Sequence, residues 1–374
     1  MHSDQIKLIS ALLTSFVLTY TFIPSIIKVA NIKHLFDTPG ERKSHTSAIP
    51  TLGGIGIFGG FVISLCLFAS FYPGNGMRYI LAALCFTFML GVKDDIVDLV
   101  ANKKFIGQIF AASIVVILGD IRLTSLYGLF GISYIGDVFS IILSIVTIIF
   151  IVNAFNIIDG INLLAGSISV VISIAFGSWF YYYGFFDYAI LAAAMSGAVL
   201  AFLRYNYTPA KIFMGDSGSL SIGLLAAVMA IQFIEKNEIV LRSGKSFDMH
   251  ITAAPALAIA VLIIPVFDTL RAFTLRVINN KSPFLADRNH IHHRLIDLGC
   301  THIQATLILV FVNLVFIVIV YSLQSWGNLY LMILELGLAI LLTSILFSIK
   351  IKKKEIVQKA KDNSMHLSLP VDAN

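Results

Sequence analysis

Residues 89–99 read MLGVKDDIVDL. An apolar run ends there in a lysine and three carboxylates, two of them adjacent. Two like charges about 4 Å apart repel by about 4 kcal/mol at an effective dielectric near 20, so this stretch requires a positive partner. On a helix Asp94 and Asp98 share a face, with Asp95 about 100° away. Anions at a helix C-terminus also oppose the macrodipole, which weighs against the plain reading of a solvated last turn. An all-oxygen cluster suits a hard cation such as Mg²⁺, which takes one or two carboxylates plus waters and phosphates.

The composition sets the surroundings of that cluster. Of 374 residues, 58% are hydrophobic and 13% are charged, against roughly 25% charged in a soluble domain. A core of this size cannot hide so much apolar surface, so the chain is predicted to be all-α, a polytopic integral membrane helical bundle. Cutting the apolar runs at polar clusters gives eleven spans: 6–30, 52–72, 77–92, 106–118, 138–152, 162–183, 186–203, 218–234, 252–271, 304–322 and 328–349. The first is too long for a signal-peptide core and is read as a retained span. If the odd-numbered connections and the C-terminal tail are cytoplasmic, only Lys7, Arg78, Arg122, Lys236, Arg242 and Lys245 of the 26 lysines and arginines fall on the other face. The positive-inside rule then puts the N-terminus outside and the C-terminus in the cytoplasm. Residues 1–349 form one membrane-embedded domain. The basic segment 350–374 reads as a tail touching anionic lipid, at about 1 kcal/mol per basic residue. Cys66, Cys85 and Cys300 are too few and too scattered for a disulfide framework or a metal knuckle.

The dense polar clusters all fall on the predicted cytoplasmic side. They are ERKSHTSAIPTLGG (41–54), the stretch 91–108, NAFNIIDGINLLAG (153–166), RYNYTPAKIFMGDSGS (204–219) and NNKSPFLADRNHIHHRL (279–295). Asn153, Asn156 and Asp159 follow at steps of three, so neighbours face one another on a helix. Amides inside apolar spans often serve as interhelical glue, whereas a carboxylate such as Asp159 is costly there without a partner. Asp216 lies between glycines and serines at a helix start, where backbone N–H groups attract anions and where a plain N-cap is the competing reading. Arg288, His290, His292, His293 and Arg294 suit donor contacts to a diphosphate better than a zinc site, since Cys300 is poorly placed to help. Lys43, His45 and Lys104 add positive charge nearby and are candidates for a lipid phosphate, although rim lysines commonly snorkel. Metal-binding acids beside phosphate-binding cations at a membrane surface are equipment for phosphoryl transfer. No Walker A or kinase signature is present.

In order and spacing, RKSHTSAIPTLGG, GVKDDIVDL, KKFIGQ, NAFNIIDG, PAKIFMGDSGS and SPFLADRNHIHH resemble the polyprenyl-phosphate N-acetylhexosamine-1-phosphate transferases. Within these, the chain is most similar to the bacterial undecaprenyl-phosphate N-acetylglucosamine-1-phosphate transferases. The resemblance covers roughly residues 40 to 300. It implies a UDP-N-acetylhexosamine donor, an undecaprenyl phosphate acceptor, Mg²⁺ or Mn²⁺, and release of UMP at the inner membrane of a bacterium. The glycan begun would be of O-antigen, common-antigen, teichoic acid or capsule type. Asp94, Asp95 and Asp159 would be catalytic, and Asp216 would bind metal with the Asp94/Asp95 pair. Asn156, Asn162, Asn206, Phe213, Arg288, His290, His292 and His293 would hold the nucleotide sugar. Membrane lipids are the remaining partners, nucleic acid is not expected, and a homodimer is left open. One departure stands out: Asn162 replaces an acid that the family commonly carries in DGIDGL. The competing readings are the muramoyl-pentapeptide branch, whose histidine run differs, an ion-coupled transporter, and an inactive scaffold.

Overall fold

The computed structural model describes residues 2–37, 49–243, 250–282 and 289–367. Its centre is α8 (Gly215–Arg242), whose apolar length is buried almost throughout. Against it pack α2 (Gly53–Phe68), α3 (Met77–Val97), α5 (Asp137–Ile158), α6 (Leu164–Tyr182) and α7 (Phe186–Asn206), and α1 (His2–Lys33) lies outside, against α2 and α7. The helix α4 (Ala101–Ser113) runs on through a π-helical turn at Ile114–Leu118. A second group consists of α9 (Ala254–Val261), α10 (Ile263–Ile278), the short α11 (Ile291–Asp297), α12 (His302–Ser322) and α13 (Asn328–Leu367). The two-residue strands β1 (Phe36–Asp37) and β2 (Ile49–Pro50) pair antiparallel.

The burial pattern is that of a bundle in lipid. Val17, Ile142, Phe311 and Leu336 point outward, on helices that are apolar all round. Among the described residues, eight helices are long and apolar enough to cross a membrane, and the bent pair α9–α10 makes a ninth. The other two predicted spans are helical but fall outside that group. α2 has only 16 residues, and α3 carries Lys93, Asp94 and Asp95 at its end.

The ninth predicted span is not one straight helix. It breaks at Leu262 and turns by 81°. Pro265 lies just past the break, and its ring excludes the carbonyl four residues before it, which is that of Val261. The carbonyls freed at the break are met from α12, where Asn313 donates to Ala260 O at 2.9 Å and Val261 O at 3.3 Å. This satisfies the requirement that backbone broken at membrane depth find new partners. The bend carries α10 toward the ends of α4 and α5. At the other end of the chain, α13 runs as one helix from Asn328 to Leu367.

Two glycines set the start of α8. A Cβ on Gly91 would lie 2.5 Å from Ser217 Cα, so only glycine lets α3 meet α8 there. Gly215 has φ +71°, the left-handed conformation that glycine adopts without strain, and so begins the helix on the right heading.

Candidate active site

The positive partner required by Asp94 is Lys104. Its Nζ lies 2.8 Å from Asp94 Oδ2 and also donates to Asp216 Oδ2. Acids from α3 and α8, far apart in sequence, therefore converge on one cation supplied by α4. The other Asp216 oxygen accepts from Asn156 Nδ2 at 2.6 Å, and the same amide lies 3.1 Å from Ser219 Oγ. Asp94 Oδ1 accepts from Leu99 N–H at 2.6 Å and so closes the end of α3. Asp98, the third acid of the stretch, is exposed and carries φ +48° at the helix C-cap, so for it the solvated reading holds.

Asp95 has a different setting. Its two oxygens accept from the backbone N–H groups of Asp216 at 2.6 Å and Ser217 at 3.0 Å. It caps α8 from outside, supplying the acceptors that a helix N-terminus lacks. Asp159 follows α5 beside the same turn. Burial first, then the carboxylates of Asp216 and Asp95, push its pKa well above the usual carboxylate range, while the backbone of Gly215 opposes the shift. Asn153 faces Gln108 in a mutual amide pair at 2.8 and 3.3 Å, which makes it the interhelical glue between α4 and α5.

The histidine stretch is organised by a residue that sequence reasoning missed. Asp268 on α10 is 2% exposed. Its Oδ1 accepts from Ile291 N–H at 3.0 Å and from Arg271 at 3.1 Å, and its Oδ2 lies 3.2 Å from His290 Nδ1. His290 Nε2 in turn lies 3.5 Å from the Arg276 guanidinium. Arg271 also donates to Asn289 O, and Arg294 to Asn289 Oδ1 at 2.9 Å. The available signal was an aspartate inside the apolar run 254–278, costly without a partner. The rule that flagged Asp159 applies equally to it.

These two clusters line one cavity of about 940 Å³. Asp94, Lys104 and Asn156 form one side, and Arg276, His290 and His293 the other. Phe105, Val146, Ile149 and Phe150 supply apolar wall, and Val146 is 57% exposed on the bundle surface. Polar groups converging on a mostly apolar hollow of this size are the usual form of a small-molecule site.

Other expected residues lie off this cavity. Asn162 donates from its side-chain amide to Thr208 Oγ1 at 3.1 Å, and its backbone carbonyl accepts from Thr306 Oγ1 at 3.0 Å. Asn206 accepts from Leu163 N–H at 2.6 Å and donates to Ile212 O at 2.9 Å, so both ends of its side chain hold loop backbone. Phe213 bonds through its backbone to Pro50 and Gly53. His292 is buried, and its Nε2 fills the space against Gly160. Burial pushes its pKa down to about 3 against the opposing pull of Asp268, so the ring is neutral. Lys43, His45 and Arg288 lie outside the described residues.

The donors around Asp94 and Asp216 are oxygens. Among the described residues, no three His, Cys, Asp or Glu side chains converge tightly enough to chelate an ion alone. Asp94 Oδ2 and Asp216 Oδ2 nevertheless reach a common point, the Lys104 Nζ. That donor set fits Mg²⁺, which keeps waters and substrate phosphates in its shell, and does not fit a closed zinc site.

Bent helix, clustered acids and lipid-facing surface together define a membrane enzyme with a polar site at one end of its bundle. The chain belongs to glycosyl transferase family 4, whose model matches residues 77–234. It is 33% identical to the decaprenyl-phosphate N-acetylglucosaminephosphotransferase of Mycolicibacterium smegmatis, over 79% of this chain and 77% of that one. It is 30% identical to the probable undecaprenyl-phosphate N-acetylglucosaminyl 1-phosphate transferase of Bacillus subtilis, over 87% and 88%. Identity to the undecaprenyl-phosphate alpha-N-acetylglucosaminyl 1-phosphate transferase of Salmonella typhi is also 30%, over 79% and 78%.

Proposed function

We propose that this protein transfers N-acetylglucosamine-1-phosphate from UDP-N-acetylglucosamine to undecaprenyl phosphate and releases UMP. The reaction would take place on the cytoplasmic face of a bacterial plasma membrane and begin a surface glycan. The observation that carries this reading is the single cavity between the Asp94–Lys104–Asp216 cluster and the Arg276/His290/His293 cluster. A nucleoside diphosphate needs cations around its phosphates, and a lipid acceptor needs an apolar approach; the cavity offers both.

The acceptor phosphate attacks the β-phosphorus, the bond to UMP breaks, and the sugar–oxygen bond survives, so anomeric configuration is retained. A phosphate monoester is already largely dianionic at neutral pH, its second pKa being about 6. The residues therefore have more to gain by orienting the reactants than by removing a proton. Asn156 fixes one oxygen of Asp216, and Asp95 fixes the backbone that carries it. Lys104 bridges the two acids and lies in the cavity wall, where it can meet phosphate oxygens. Asp94 and Asp216, with Asp159 adjacent, would hold Mg²⁺ or Mn²⁺, which when bound draws charge off the diphosphate. Placement of the acids at helix ends argues against ion-coupled transport, which uses sites near the midplane.

The test is purified protein in detergent or nanodiscs, a panel of UDP-sugars with undecaprenyl phosphate, and a readout of UMP and lipid-linked product. UMP release from UDP-N-acetylglucosamine that requires the lipid is the expected result. Release without lipid, or none with any UDP-sugar, contradicts the proposal.

A further inference from the structure

On α10, Asp268, Ala272 and Arg276 are spaced by four residues, so they share one face. Asp268 and Arg276 are two turns apart, about 12 Å along the axis, and both are buried. The His290 ring spans them, with Nδ1 3.2 Å from Asp268 Oδ2 and Nε2 3.5 Å from Arg276.

The chemistry of the pair fixes the proton. A guanidinium carries donors only, so the neutral ring that satisfies both contacts accepts at Nε2 and carries its hydrogen on Nδ1, directed at Asp268. That is the tautomer a carboxylate partner selects. We propose that Asp268 is a positioning residue which, through the Nδ1–H tautomer of His290, holds the Arg276 guanidinium in the cavity wall to bind the donor's diphosphate. The inference rests on the functional reading above for the identity of that diphosphate, but not for the relay itself.

Asparagine is an informative substitution here because the two oxygens of Asp268 have different duties. Oδ1 accepts from Ile291 N–H and Arg271. In Asp268→Asn the amide carbonyl would take that place, and the amide NH₂ would face His290. The ring must then accept at Nδ1 and carry its proton on Nε2, where it points at the Arg276 donors. Local packing is kept while the contact turns from donor–acceptor to donor–donor.

The experiment has two arms. Histidine-selective ¹⁵N NMR on the whole protein reads the tautomer without turnover. The wild type should show Nδ1–H at His290 and Asp268→Asn should show Nε2–H; an Nε2–H or imidazolium His290 in the wild type overturns the relay even if the enzyme is active. In the second arm, Asp268→Asn and Arg276→Ala should each lower kcat/KM for UDP-N-acetylglucosamine by about 10- to 100-fold, the size of one charge-assisted hydrogen bond. KM for undecaprenyl phosphate should stay unchanged, and the double variant should be no worse than Arg276→Ala alone. Multiplying losses, or wild-type kinetics in Asp268→Asn, overturn the proposal. If Asp268→Asn does not fold, added guanidinium should restore Arg276→Ala, and absence of rescue overturns it. A wild type with Nδ1–H at His290 but no UMP release would remove the functional reading and leave the relay standing.

Discussion

The two ends of α4 and α5 both carry charge, and they handle it in opposite ways. At one end Arg122 bonds Asp120 and Asp137, each at 2.7 Å, with those acids 78% and 83% exposed. At the other, Lys104 bridges Asp94 and Asp216, and the Lys104 and Asp94 side chains are only 17% and 11% exposed. The first trio is a local surface arrangement of the kind worth at most about 1 kcal/mol. The second removes three charges from water, which costs several kcal/mol per ion before geometry compensates. A fold has no need of that second arrangement for stability. Among the described residues, this buried bridge of one cation between two acids is the feature on which the proposed site rests.

The sharpest way to break the contrast is Asp216→Asn. It should lower kcat for UMP release by about 10²–10³ or more, the scale for losing a group that stabilises developing charge, while thermal unfolding shifts little. Wild-type turnover at limiting Mg²⁺ would remove Asp216 from the site.

A smaller effect separates the histidines. His292 is held neutral with its pKa near 3, below the unfolded value near 6.5. Between those values the unfolded chain binds the extra proton, so stability is full above about pH 6.5 and falls toward pH 3, at up to about 1.4 kcal/mol per pH unit. His292→Gln should flatten that acid limb in unfolding measured against pH; an unchanged slope would contradict the assignment. The smallest effect belongs to the exposed end, where Arg122→Ala should change stability by under about 1 kcal/mol and leave turnover untouched. A large loss of activity there would erase the distinction between the two ends.

Much of this was legible in the sequence, and the failures have physical causes. Apolar runs located the spans, because lipid leaves few alternatives to helices. The acids at 94, 95, 159 and 216 stood out because carboxylates beside apolar runs need partners. What a residue's charge is used for was less legible. The pairing of Lys104 with two acids depends on how α3, α4 and α8 cross. Asp95 reads like Asp94 until α8 is seen to begin against it. Asn162 and Asn206 sit in motif positions, yet their amides hold loop backbone and a threonine. The role of Asp268 required the bend at Leu262, which brings α10 to a histidine loop 22 residues further on. Pro265 gave a local hint of that break; no local pattern gave its 81° direction.

The most direct test of the central claim is a cryo-electron microscopy structure of the protein with UDP-N-acetylglucosamine and Mg²⁺. The account predicts the diphosphate inside the cavity, between Asp94 and Asp216 on one side and Arg276 and His290 on the other, with Lys104 at a phosphate oxygen. Nucleotide density elsewhere, or a diphosphate contacting only one of the two clusters, would contradict it.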